Sequence, residues 1–115
     1  MSKQPKPLLW LHAQLKTPPF STNARIEAGV LLRQLQDGVN LSMPHSRPMP
    51  GIGRGCHELR PQDQNNTWRI MYCIEPDAIV ILEVFSKTSN QTPQAVMEVC
   101  KARLKSYRSI LKGAP

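Results

Sequence analysis

Three apolar runs between residues 56 and 85 constrain this chain more than any other feature. CHELR (56–60), TWRIMYCI (67–74) and AIVILEVF (78–85) carry the β-branched and aromatic residues that suit a pleated, half-buried surface. Only PQDQNN and EPD separate them. A crossover to a parallel neighbour needs about a dozen residues or more, so both joints predict hairpins. The segment therefore reads as a three-stranded antiparallel meander.

The flanks supply the elements that cover such a sheet. In PLLWLHAQL, periodicity alone does not separate a strand from a turn of helix, and residues 8–11 are read as a strand. Over residues 21–37 the apolar positions Ala24, Ala28, Leu31, Leu32 and Leu35 recur at helical spacing, with Ser21 to Asn23 able to cap the start and Gly38 the end. Residues 39–55 hold too much Pro and Gly for regular structure and predict a surface loop. Thr92 followed by Pro93 favours a helix start, and Met97, Cys100, Leu104, Tyr107 and Leu111 then form an apolar stripe. Lys101, Lys105, Arg108 and Lys112 fill its outer face. The expected class is α+β: a compact antiparallel sheet, the meander plus an N-terminal strand, packed with an N-terminal and a C-terminal helix.

The 115 residues suit a single domain, 1–115, with enough apolar surface to fold without staples. Fifteen Lys and Arg against eight Asp and Glu give a formal charge of +7, so nucleic acid is the first partner that electrostatics suggests. Cys56, Cys73 and Cys100 are odd in number and lack CxxC spacing, and they read as reduced packing residues. No apolar run approaches the roughly 20 residues of a membrane span, and the apolar part of the N-terminus is short for a secretory signal. A cytoplasmic address is expected. His12 and His45 are too far apart in sequence to imply a metal site, and neither a metal nor a cofactor is expected. The glycines of PGIGRG precede a strand rather than opening a helix and lack a Lys-Ser/Thr ending, which excludes a phosphate loop. There is no GxSxG elbow, and Cys100 shows no charge environment that would make it a nucleophile.

Side chains alternate across a strand, so Trp68, Ile70, Tyr72 and Ile74 share one face while Arg69, Met71 and Cys73 share the other. The helices are expected over the Trp68 side. Burial of Leu59, with His57 on its face, leaves Glu58 and Arg60 on the opposite face. In the third run Ile79, Ile81, Glu83, Phe85 and Lys87 have one parity. If that parity meets the arginine side, Arg60, Arg69, Glu83 and Lys87 gather into a cluster able to bind phosphate and hold a carboxylate beside it. The same residues also suit cross-strand ion pairs that keep one sheet face soluble.

Taken in order, LLW, the helical EAGVLLRQLQDG, the Pro/Gly loop, HELR, TWRIMY, AIVILEVFSK, QTP and a terminal basic helix resemble the phage-derived branch of the RelE/ParE toxin superfamily, related to HigB. ELR at 58–60, WRI at 68–70 and Phe85-x-Lys87 carry most of the resemblance. It implies a compact sheet flanked by helices and a toxin of a type II toxin-antitoxin system. Its function would be metal-independent, ribosome-dependent cleavage of messenger RNA, held in check by a helix-turn-helix antitoxin. The family's paired arginines fall on Arg60 and Arg69 and its basic strand end on Lys87, all three as RNA contacts. Glu83 is the nearby candidate base, and the general acid is unassigned. Thr88 stands where relatives commonly carry a second lysine, and Glu83 where they often carry histidine. The wider superfamily leaves two alternatives: a non-catalytic ParE-like toxin that binds a protein such as gyrase, and a degenerate relative that only binds an antitoxin. Oligomeric state is open.

Overall fold

The computed structural model describes residues 4–11, 21–61, 68–86 and 93–111. In chain order the elements are β1 (Leu8–Trp10), α1 (Thr22–Gln36), β2 (Ser46–Pro48), β3 (Cys56–Leu59), β4 (Trp68–Ile74), β5 (Ile79–Ser86) and α2 (Gln94–Leu111). They build an α+β fold around one five-stranded sheet of order β1-β5-β4-β3-β2. β3, β4 and β5 form the expected antiparallel meander.

Two features of the sheet differ from the expectation. β1 pairs parallel to β5, with Leu8 opposite Ile79 and Trp10 opposite Ile81, so the sheet is mixed rather than antiparallel. These two strands are far apart in sequence, so no tight turn dictates their direction. The second departure is β2, which lies inside the segment read as a loop and pairs antiparallel with β3. Pro48 is tolerated there because β2 is an edge strand. Ser46 locks it in place: its Oγ lies 2.6 Å from the buried Tyr72 hydroxyl two strands away.

α1 starts at the expected cap, where the Ser21 hydroxyl accepts from Ala24 N at 3.0 Å. It ends at Gly38, whose φ of 89° is open to glycine at little cost. Gly38 N donates to Leu35 O and Val39 N to Gln34 O, the paired bonds of a Schellman ending. Pro93 immediately precedes α2, while Thr92 and Lys112 lie outside the described residues.

The helices do not share a face. Ala28, Leu31, Leu32 and Leu35 of α1 pack on Leu59, Ile70, Tyr72, Ile79 and Ile81. Cys100 and Leu104 of α2 pack on Cys56, Met71, Cys73, Val80 and Leu82 on the other side. Each fully buried Leu or Ile contributes about 1.5–3 kcal/mol, so a face left bare would be costly. This two-sided cover explains why β5 reads as a continuous apolar run rather than an alternating one. The α2 stripe is narrower than expected: Leu111 is exposed, and Arg108, placed on the outer face by the sequence, turns inward to Glu75. His57 packs as anticipated on the α1 face, stacked against Tyr72 with ring centroids 5.3 Å apart.

Candidate functional site

A β-bulge decides which residues meet on the α2 face. Tyr72 is paired with Ile81 but Met71 with Glu83, so Leu82 is an extra residue in β5. Up to that point Ile79 and Ile81 face α1. Beyond it, Glu83 pairs with Met71, Phe85 pairs with Arg69, and Phe85 packs in the α2-side core. Glu83 therefore shares the arginine face because the bulge reverses the parity, not because Ile79 and Ile81 point there.

Across the sheet one row runs Arg47, Glu58, Met71, Glu83, each paired to the next on β2, β3, β4 and β5. In the adjoining row Arg69 pairs with Phe85. Arg60 follows Leu59, and the β3–β4 register extended by one residue sets it opposite Arg69. Glu58 is the centre of this cluster and is wholly buried. Its Oε1 lies 3.1 Å from Arg47 Nη2 and 3.9 Å from Arg69 Nε.

Arg69 is only 5% exposed, which corrects the expectation that it lies outside the helix-covered core. Its Nη1 donates to Trp68 O at 2.8 Å. Burial lowers the proton affinity of its guanidinium, the nearby Arg60 charge lowers it further, and Glu58 opposes both. Three arginines around one carboxylate leave a local excess of two positive charges. Arg47 and Arg60 are both partly exposed, so that excess reaches solvent. An incoming phosphate would meet planar donors held by a buried counter-charge, the arrangement that favours bidentate anion binding.

Glu83 lies on the same face but has its own partner. Arg103 of α2 approaches its Oε1 at 3.4 Å and donates to Leu82 O at 2.7 Å, while Glu83 Oε1 also accepts from Val84 N at 3.1 Å. Two strand spacings, about 9.6 Å, separate Glu83 from Glu58 along the row. Lys87 lies outside the described residues. The structure thus sets Arg60 opposite Arg69, which faces Glu58, and places Glu83 two strands from Glu58 in an ion pair.

Sequence reasoning missed Arg47 and Arg103 and gave Glu58 no role. Arg47 is hidden in a Pro-rich stretch with no strand signal, and Arg103 sits on a helix whose docking side was misplaced. Glu58 was legible in principle, since its parity with Arg60 already put it among the arginines.

A cleft of about 520 Å³ lies elsewhere, between residues 4–6 and the end of α1. Its cation, Lys6, donates to Glu75 O at 2.9 Å, and the cleft gathers no cluster of charge comparable to the arginine site. Among the described residues no group of His, Cys, Asp and Glu is placed to hold a metal ion. No helix among them is long and apolar enough to cross a membrane. The sequence model of a family described as "Phage derived protein Gp49-like (DUF891)" matches residues 18–105. No curated protein matches the chain.

Proposed function

The chain belongs to the phage-derived Gp49-like family, a RelE-like toxin family, and from that premise we propose that it is a HigB-like toxin directed at messenger RNA on the ribosome. The observation that carries this reading is the pairing of Arg47 and Arg69 with the buried Glu58, with Arg60 beside Arg69. In the proposed reaction a ribose 2′-hydroxyl attacks the adjacent phosphorus and the 5′-oxygen leaves. The guanidiniums hold the phosphate and stabilise its developing charge. The hydroxyl proton must go to a base, and among the described residues Glu83 is the other carboxylate in the row that holds Arg47 and Glu58. Arg103 must yield its hold on Glu83 for that step, and the ribosome would supply the remaining geometry. A cognate helix-turn-helix antitoxin and a cytoplasmic site of action belong to the same proposal.

The Glu83–Arg103 pair also favours a second reading, in which the chain is a degenerate relative that retains only antitoxin binding. Induction in a bacterial host, followed by mapping of messenger RNA 5′ ends on ribosomes, separates the two. New ends at codon-specific positions with arrested translation support the nuclease. Unimpaired growth and an unchanged end profile at high expression support the degenerate relative.

A further inference from the structure

The β3–β4 register sets two thiols face to face. Cys56 and Cys73 are direct cross-strand partners, both free, and both packed beneath α2 at 3% and 0% exposure. Ile74 N donates to Gly55 O at 3.0 Å, so the adjoining Cys56–Cys73 position is a non-hydrogen-bonded pair of the ladder. At such positions Cα atoms approach to about 4.5 Å, inside the roughly 4.4–6.8 Å that a disulfide spans. Each thiol lies close enough to the other to shift its proton affinity.

Their surroundings distinguish the two sulfurs. Cys73 Sγ lies 3.4 Å from Arg54 O and 3.6 Å from Glu75 Oε2, with Arg108 Nη2 at 3.5 Å. Glu75 holds Arg108 there through contacts of 3.2 and 3.3 Å. The neighbouring Cys73 thiol pulls the Cys56 thiol below its ordinary value, and the Arg108 charge acts in the same direction, against burial. The neighbouring Cys56 and burial push Cys73 the other way. Cys100 lies on α2 with no strand partner, and burial pushes its thiol up to about 12. A Cβ added at the half-exposed Gly53 would sit 2.9 Å from Leu104 Cδ2 and 3.7 Å from Cys56 Sγ, so the lack of a side chain there lets Leu104 close over that sulfur. A cleft of about 370 Å³ lined by Ile52, Leu104 and Arg108 opens beside the same cluster.

We propose that Cys56 and Cys73 form a redox modification site, in which a small hydroperoxide converts the dithiol to an intramolecular cross-strand disulfide. The Cys56 thiolate attacks one oxygen of hydrogen peroxide, the O–O bond breaks, and hydroxide leaves to be protonated to water. Cys56 is then a sulfenic acid. The Cys73 thiol, losing its proton, attacks that sulfur and displaces a second hydroxide, which is protonated to a second water. Two thiols supply two electrons, peroxide accepts them, and two waters form. Most buried cysteines are inert; what sets this pair apart is that the resolving thiol is already in place.

The test uses the full chain, reduced, then exposed to hydrogen peroxide, denatured, alkylated and weighed. Two of the three cysteines should become unavailable to the alkylating agent, and tryptic digestion should yield one linked pair of peptides carrying Cys56 and Cys73. Dithiothreitol should restore all three thiols, and Cys100→Ala should leave the link intact. Three alkylated thiols after a peroxide dose that oxidises free glutathione, a link through Cys100, or irreversible sulfinic acid without a link would each overturn the proposal. None of these outcomes depends on whether the chain cleaves RNA.

Discussion

Glu58 holds together side chains that would otherwise repel. Its charge faces Arg47 at 3.1 Å and Arg69 at 3.9 Å, and Arg60 adds a third cation that weighs on Arg69. Glu58→Gln keeps the shape and removes the charge, leaving clustered guanidiniums around a neutral amide. Removing one partner from a buried charged network costs about 3–5 kcal/mol, and the partial exposure of Arg47 places this case at the lower end. Urea denaturation of Glu58→Gln should therefore show a loss of about 3 kcal/mol. A variant as stable as the native chain would mean that Glu58 does not balance the arginines. Arg69→Ala differs from what strand parity alone implies: at 5% exposure it is not a surface change, so it should lose stability as well as any RNA activity. Parity was readable at these positions because the period of a strand is fixed; burial was not, because it depends on what packs against the face.

Elements were legible where local chemistry decides them and obscure where tertiary pairing does. The meander follows from two short joints, and α1 from its Ser21 cap and apolar spacing. β2 was missed because proline and glycine outweigh three strand residues in any local reading. The bulge at Leu82 leaves no mark in an unbroken apolar run, yet it places Glu83. Two glycines test how backbone demands differ between elements. Gly38, which ends α1 at φ 89°, has nothing within 4 Å of an added Cβ, whereas Gly55, which enters β3 at φ 80°, would place one 3.2 Å from Ile74 O. Left-handed backbone costs a side chain about 1–2 kcal/mol, so Gly38→Ala should lose about that much. Gly55→Ala should lose more, since backbone oxygen cannot swing away, and it should loosen β3 from β4. Equal melting temperatures for the two variants would contradict this difference.

Across the whole molecule, proton binding and net charge set the two remaining expectations. Burial raises Tyr72, burial lifts Cys100 to about 12, and the neighbouring Cys56, with burial, raises Cys73; Cys56 itself shifts the opposite way. Unfolded thiols and phenols release protons near the ordinary values of 9.0 and 10.0, so the native state holds more protons above that range. Stability should be complete below about pH 9 and fall as pH rises through the native values, and Cys100→Ala should flatten that fall. A free energy of unfolding that stays constant to about pH 11 would contradict this linkage. Net charge poses a sharper question, because a +7 chain will attract RNA whether or not it has a site. Arg60 and Arg33 separate the two cases. Arg33 is two-thirds exposed on α1 and pairs with Asp37, whereas Arg60 adjoins Arg69 and repels it. Each cation removed lowers the net charge equally, so attraction by charge alone predicts equal losses. If the arginine cluster receives phosphate, Arg60→Gln should weaken binding of single-stranded RNA about tenfold, the worth of one charge-assisted contact. It should also reduce the slope of log affinity against log salt by about 0.7. Its stability should change by under about 1 kcal/mol, because relief of repulsion with Arg69 offsets what the guanidinium itself contributes to the fold. Arg33→Gln should leave RNA affinity within about twofold. Equal affinities and equal salt slopes for the two variants would show that RNA is held by diffuse charge and would remove the arginine cluster as its site.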